Sequence, residues 1–349
     1  MIHVLDAVTD REVWLERWAA CGREPFAHPS YSGLFAAAGE RALALVVENG
    51  GEFALLPLIV RPVPAALSQD ELTDAISPYG YGGPFVSGSV DIDQVLTEVE
   101  DWAANEGICS AFLRLSLESG LSGRLGTGRT AITETADNIV VNLRQSPEEL
   151  WANYEHKVRK NVKKALRAGC SVRRDDNLQD VDAFLNVYSS TMQRRSAAQW
   201  YRFDRSFFSA LADGISGSYS VFSVVNSQDE VVSVELVLQS DAYLYSFLGG
   251  TLAEAFSMSP NDLLKHEVAS FGQQTGRHGY VLGGGYKKDD GIYRYKKAFD
   301  PQGVRGFRTA KLIGCQQRYD ALVAARLQEV GGVLDEGFFP AYRASVAAL

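Results

Sequence analysis

The spacing of apolar residues sorts the chain into two successive runs of helices and strands. Trp14 and Trp18 stand four residues apart with Glu12, Glu16 and Arg17 opposite them, which predicts a helix over about 10–20 opened by a Thr9/Glu12 capping box. Leu34, Phe35 and Ala38 mark a second short helix. Two strand-like runs, 42–48 and 53–61, flank Gly50-Gly51, the composition of a hairpin turn. A helix over 95–105 with Val95, Val99 and Trp102 inward follows, then strand patterns at 111–116 and 138–143.

Ser146-Pro147-Glu148-Glu149 combines a serine N-cap, a proline at the first helical position and an acid at the third. The helix it opens is expected to run to Ala168 and stop at Gly169, burying Leu150, Trp151, Tyr154, Val158, Val162 and Ala165. Helices over 181–195 and 207–212 precede three strands, 219–225, 231–239 and 242–249, of an antiparallel meander. In the middle strand Val232, Val234, Leu236 and Leu238 alternate as one buried face, which leaves Ser233 and Glu235 on the other. Ser259-Pro260-Asn261-Asp262 opens another capped helix, buried through Leu263, Leu264, Val268 and Phe271. A short strand, Tyr280-Val281-Leu282, then breaks at Gly283-Gly284-Gly285.

Length and composition narrow the reading. With 349 residues the chain exceeds the ~250–300 at which one core stops growing, so two domains are expected. A net charge of -9 argues against a general polyanion binder and leaves room for a local basic face. Four cysteines and five histidines show no metal-ligand spacing, which predicts reduced thiols, no metal and a cytoplasmic protein. No apolar run is long enough to span a membrane.

The charge is placed unevenly. His156, Lys157, Arg159, Lys160, Lys163, Lys164 and Arg167 crowd one side of the helix after Ser146, with Glu155 as the one acid in the run. Such a face repels itself unless a ligand neutralises it, so Arg159 and Lys163 are candidates for binding a phosphate. Arg194, Arg195 and Tyr201 interleave cations with aromatics and are further substrate-binding candidates. Tyr79 and Tyr81, in the turn-rich Ser77–Pro84 loop, suit either a structural corner or an aromatic wall of a cleft. Ser259 and Asn261 head a helix N-terminus, where backbone N–H groups favour the phosphate of a donor. Arg124–Gly128 is one residue too tight for the R-x-x-G-x-G pattern of acetyl-coenzyme-A binders. The densest stretch is Tyr280–Phe299. Its glycines, Gly284 and Gly285 among them, allow close backbone approach to a ligand, and Asp290, Lys296 and Lys297 follow at once.

Several phrases, in order, resemble the Fem-type branch of the GNAT acyltransferase superfamily: R-K-N-V-K-K-A-L-R-A-G (Arg159–Gly169), T-M-Q-R-R (Thr191–Arg195), V-S-V-E-L-V-L (Val232–Leu238) and G-G-G…D-G-I-Y-R-Y-K-K-A-F ending at Phe299. Together they cover most of Ser146–Gly314, and S-P-Y-G-Y-G-G-P resembles a phrase of that branch's first domain. The resemblance implies an α/β (α+β) fold of two tandem GNAT-like domains, each a mixed, mostly antiparallel sheet flanked by helices. The domains are expected at 1–145 and 146–316, with the tail 317–349 packed back on the first. It also implies transfer of an aminoacyl group from aminoacyl-tRNA to an amine, on a peptidoglycan precursor or another small peptide or metabolite. Lys296, matching the lysine of the family's aromatic-Lys-x-x-Phe phrase, is implied to stabilise the reacting ester or its phosphate. The chain departs from some members in having no heptad-rich helical arm, and its diglycine-tyrosine wording also suits proteins with an acyl-thioester donor.

The chemistry can be argued from the residues alone. Forming an amide from an ester or thioester needs an uncharged amine, and Glu235 or Asp290 can accept its proton. Lys296 can donate to the tetrahedral oxyanion. No paired nucleophile and base is evident, which favours direct attack over an acyl-enzyme. No resident cofactor is expected; aminoacyl-tRNA or acyl-coenzyme A would be a co-substrate. A non-catalytic RNA- or precursor-binding module is the reading from a different class.

Overall fold

The computed structural model describes residues 2–117, 128–195, 201–287 and 289–346. The glycine-rich phrase at 124–127, the stretch 196–200 and Lys288 lie outside them. The chain divides into two compact units, Met1–Thr135 with Phe307–Leu349, and Ala136–Gly306.

The first unit begins with β1 (Ile2–Asp6), α1 (Arg11–Ala20), α2 (Pro29–Leu34), β2 (Arg41–Asn49), β3 (Glu52–Pro62), β4 (Thr73–Ile76), β5 (Phe85–Ser87), α3 (Ile92–Asn105) and β6 (Ile108–Arg114). Strand β7 (Thr130–Asn142) leads into the second unit, which continues with α4 (Pro147–Asn153), α5 (His156–Arg167), β8 (Ser171–Asp175), α6 (Val181–Arg194), α7 (Arg205–Gly214), β9 (Tyr219–Val225), β10 (Val231–Gln239) and β11 (Tyr243–Thr251). It ends with α8 (Pro260–Gln274), β12 (Gly279–Gly283) and α9 (Gly291–Lys297). The chain then returns to the first unit through β13 (Val304–Ile313) and α10 (Gln316–Val330).

In the first unit the strand order is β1-β2-β3-β4-β6-β13, antiparallel except for the β4–β6 pair, with β5 beside β3. β2 and β3 are buried along almost their whole length because helices cover both faces. Val95, Leu96, Val99, Trp102 and Ala103 of α3 supply one cover. The tail is held by polar contacts as well as packing. Asp74, fully buried, accepts from Arg61 Nε at 2.8 Å, Tyr342 Oη at 2.9 Å and Arg343 Nε at 2.5 Å.

The border between the units falls earlier than residue 145, because the second half of β7 pairs with β12, Gly279 to Gly283 lying against Asn142 to Ile139. The second unit's strand order is β7-β12-β11-β10-β9-β8. All neighbours are antiparallel except β11 and β12, which pair in parallel over Tyr243–Tyr245 and Gly279–Val281 alone. β11 runs on to Thr251 past the end of this pairing, so the sheet opens there.

Two sequence expectations change. The long helix after Ser146 is two helices, because Tyr154 and Glu155 are extended (ψ 141° and 151°). The break lets Tyr154 bury its ring among Trp151, His266 and Phe299, while the Glu155 N–H donates to the Ala298 carbonyl at 2.9 Å. β10 is also buried on both faces, since α8 and α6 cover its two sides; Ser233 and Glu235 are as enclosed as the valines. Gly249 and Gly250 are what let the neighbouring elements close on β11: a Cβ at Gly250 would lie 2.4 Å from Thr191 Oγ1 of α6, and one at Gly249 2.4 Å from the Val234 carbonyl.

Candidate active site

A cleft of about 700 Å³ opens in the second unit where β11 has left β12. Its lining comes from α6 (Thr191, Arg194, Arg195), β10 (Val234, Glu235), β11 from Ser246 to Thr251, the start of α8 (Ser259 to Asp262, Lys265) and the α9 segment (Asp290 to Ile292, Tyr295, Lys296). Four sequence-separated elements therefore bring Glu235, Lys296, Asp290, Arg194, Arg195, Ser259 and Asn261 to one place.

The floor is a buried ion pair. Lys265 Nζ lies 2.6 Å from Glu235 Oε1, and both residues are under a tenth exposed. The ammonium also donates to Ser246 Oγ at 2.7 Å and Tyr280 Oη at 3.2 Å, while Tyr280 donates to the same Glu235 oxygen at 2.6 Å. Glu235 Oε2 is buried and has no hydrogen-bond partner. Burying a charge is tolerated when it is paired and its remaining protons are satisfied, as Lys265's are here.

Lys296 sits beside this pair and donates to the Gly284 carbonyl at 2.7 Å. Burial, with the nearby Lys265 charge adding to it, brings its ammonium down to about 8. Tyr295, the preceding residue, accepts from Asn261 Nδ2 at 2.8 Å, and burial raises its hydroxyl well above the ordinary range. Asp262 accepts from Asn161 Nδ2 of α5 at 3.1 Å, and burial pushes its carboxyl up to about 6. Ser259 stands at the head of α8 in the left-handed region (φ 59°) and its side chain makes no cap, so the first N–H groups of α8 have no side-chain acceptor from it.

Several predicted site residues have other occupations. Asp290 reaches the cleft, but its carboxylate is the N-cap of α9, accepting from Tyr286 N at 2.7 Å, Lys287 N at 3.1 Å and Tyr293 N at 2.7 Å. Those backbone donors hold its carboxyl below the ordinary range, which suits a cap and not a proton acceptor. Gly284 and Gly285 make room for protein: a Cβ at Gly284 would lie 2.7 Å from the Asp137 carbonyl, and one at Gly285 2.3 Å from Asp290 Oδ1. Lys297 is outside the lining and stacks over the Tyr293 ring at 5.9 Å. Arg159 bonds back to the carbonyls of Ala152 and Tyr154, closing the C-terminal end of α4. Lys163 is exposed on α5 over the Trp151 ring at 5.7 Å. Arg194 donates to the Thr251 carbonyl at 3.0 Å and covers Phe256, and Arg195 is exposed at the end of α6. Tyr201, outside the lining, receives the Tyr188 hydroxyl on its carbonyl at 2.5 Å. Tyr79 and Tyr81 belong to an aromatic cluster of the first unit: the Tyr79 carbonyl accepts from Tyr31, and Tyr81 meets Phe26 and Phe307 edge-on.

Lys265, Asp262, Ser246 and Tyr280 were not singled out by sequence reasoning as site residues. One signal was present: on a helical wheel Lys265 shares its face with Val268, Ala269 and Gly272, and a lysine on a small and apolar face needs a buried partner.

Residues 152–297 match the family profile described as an Acetyltransferase (GNAT) domain. No curated protein sequence matches the chain. Among solved structures, that of FemX superposes with a TM-score of 0.66 at 15% identity, over 88% of this chain and 97% of that one. A C-terminal domain assigned to a lysylphosphatidylglycerol synthetase from Agrobacterium fabrum gives 0.54 at 12%, covering 97% and 99%. L-PGS from Bacillus licheniformis gives 0.53 at 11%, covering 93% and 98%. The GNAT acetyltransferase profile over residues 152–297 marks the chain as an acyltransferase, and its fold resembles that of FemX.

Proposed function

We propose that the protein is an N-acyltransferase that moves an aminoacyl group from aminoacyl-tRNA to the amine of a peptidoglycan precursor or another small peptide or metabolite. The observation that carries this reading is the cleft within the GNAT domain, where Lys296 stands beside the buried Glu235–Lys265 pair. In this reading the acceptor enters as a free amine and its nitrogen attacks the carbonyl carbon of the donor ester. Charge gathers on the carbonyl oxygen, and the Lys296 ammonium stabilises it. Glu235 Oε2, which has no protein donor, takes the proton that the nitrogen sheds as the C–N bond forms. The C–O bond to the ribose then breaks, and the departing oxygen takes up the proton that Glu235 received, which restores the carboxylate. The exposed cations of α5, Lys157, Lys160, Lys163, Lys164 and Arg167, supply a track for the nucleic-acid backbone.

A transfer assay with freshly charged tRNA and a small-molecule acceptor extract tests the donor. Ribonuclease added before the enzyme should abolish the product; product formed at an unchanged rate would contradict a tRNA donor.

A second reading, an acyl-thioester donor such as acyl-coenzyme A, is favoured by the acetyltransferase character of the matched profile and by the α8 N-terminus with no side-chain cap beside the cleft. Under that reading acetyl-coenzyme A should raise the melting temperature in a concentration-dependent way. No shift at any concentration would dismiss it.

A further inference from the structure

Among the charged groups that line the cleft, one buried carboxylate lacks a matching cation among the described residues. Glu235 is paired with Lys265, and Asp290 is absorbed in the α9 cap. Lys296 and Arg194 are turned onto backbone carbonyls, those of Gly284 and Thr251. Asp262 is 7% exposed, and the Asn161 amide on Oδ1 is its one side-chain donor. Its own backbone N–H assists, Lys157 acts on it from a longer distance, and no cation of the described residues lies within ion-pair range. Burial of an anion with so few donors is costly, and it raises the Asp262 carboxyl to about 6. Asn161, on α5, holds Oδ1 in place at 3.1 Å.

The position of this carboxylate relative to the chemistry is also constrained. Asp262, Glu235, Tyr295 and Lys296 all line the one cleft, and Asn261, the neighbour of Asp262 on α8, holds the Tyr295 hydroxyl at 2.8 Å. In an aminoacyl ester the α-nitrogen is two bonds from the reacting carbonyl carbon. A group that binds it must therefore line the same cleft as the reacting centre.

We infer that Asp262 receives the α-ammonium of the donor, so that the cleft selects aminoacyl groups with a free α-amine over plain acyl groups. The inference rests on the aminoacyl-donor reading above and specifies what that donor must carry. An α-amine with a pKa near ~7.7–8.0 is mostly protonated at neutral pH and pairs with an ionised Asp262. The ligand's charge then replaces the hydration that burial removed. Asn161 acts as a positioning residue for this contact.

The test is a binding measurement with stable donor mimics. tRNA 3′ ends carry alanine, serine or lysine through an amide linkage, and a matched set carries the deaminated acyl group, propionyl in place of alanyl. Wild-type protein should bind the free-amine forms about 10–100-fold more tightly than the deaminated ones, the usual range for a hydrogen bond to a charged group. Asp262→Asn, which keeps the shape and the Asn161 contact, should lose that preference and bind both sets alike; Asp262→Ser provides a second loss of charge if the first fails to fold. Equal wild-type affinity for the two sets, or a preference retained in a folded charge-free variant, would overturn the inference and leave the tRNA donor standing. Binding of neither set by wild type would overturn the tRNA donor and the inference together.

Discussion

Replacing Lys265 with methionine isolates the energetics of the cleft floor. Methionine is close in length and apolar, so the packing of α8 on β10 survives while the charge goes. Three hydrogen bonds disappear, those to Glu235, Ser246 and Tyr280. Glu235, 3% exposed, keeps only the Tyr280 hydroxyl, and its second oxygen already has no donor. Stranding one partner of a buried pair costs about 3–5 kcal/mol. For a cooperative unit of this size each kcal/mol moves the midpoint by about 2–4 °C, so the melting temperature should fall by roughly 6–20 °C. Neutralising Glu235 as well, in Lys265→Met with Glu235→Gln, should recover much of the loss, because the stranded charge is then removed. Thermal unfolding of the two singles and the double, followed by tryptophan fluorescence and calorimetry, closes the cycle. A Lys265→Met protein that melts within about 2 °C of wild type, or a double variant less stable than Lys265→Met, would refute the reasoning.

Charge reversal at Lys163 to glutamate should leave stability within about 0.5 kcal/mol, as for most surface sites, but weaken tRNA binding and reduce its salt dependence; identical salt slopes would remove α5 from the donor path. Lys296, whose folded-state ammonium titrates near 8 against 10.5 unfolded, makes the native state hold fewer protons between those values, so wild-type stability should rise across that window relative to Lys296→Met. Parallel curves of melting temperature against pH from 7.5 to 10 would contradict the burial of that ammonium. Gly285→Ala places a methyl 2.3 Å from Asp290 Oδ1 and should dislodge the α9 cap, costing about 0.5–2 kcal/mol and lowering activity; urea titration measures the first and transfer the second.

How much could be read in advance depended on whether a feature was local. The meander strands 219–225 and 231–239 were legible to the residue, because alternation and turn residues are local signals. β4 and β13 were missed: β4 is only four residues long, while β13 mixes charges with apolar residues and is fixed by β6, far away in sequence. The Tyr154–Glu155 break was invisible because the helical stripe runs straight through it, and tertiary contacts, the Tyr154 ring against His266 and Phe299 and the Glu155 bond to Ala298, make the interruption favourable. In the cleft, Glu235 and Lys296 stood out as charges beside apolar or glycine runs. Asp290 stood out for the same reason, and the structure gives its oxygens to a cap that S/T/D-x-x spacing alone would also have suggested. Lys265 showed itself only through the apolar face it shares with Val268 and Ala269, and Asp262 is hidden because a polar helix start looks the same whether it faces water or a cleft.

The central claim is that transfer takes place at Lys296 in the cleft of the second unit, and steady-state transfer by Lys296→Ala tests it most directly. The measurement is kcat for amide formation from charged tRNA, with donor and acceptor saturating, set beside Lys297→Ala and matched thermal melts. If Lys296 stabilises charge that exists only in the transition state, Lys296→Ala should lose on the order of 10²–10³ in kcat with little change in KM, and Lys297→Ala, whose ammonium lies over Tyr293 outside the cleft, should stay near wild type. A folded Lys296→Ala protein with near-wild-type kcat would contradict the account.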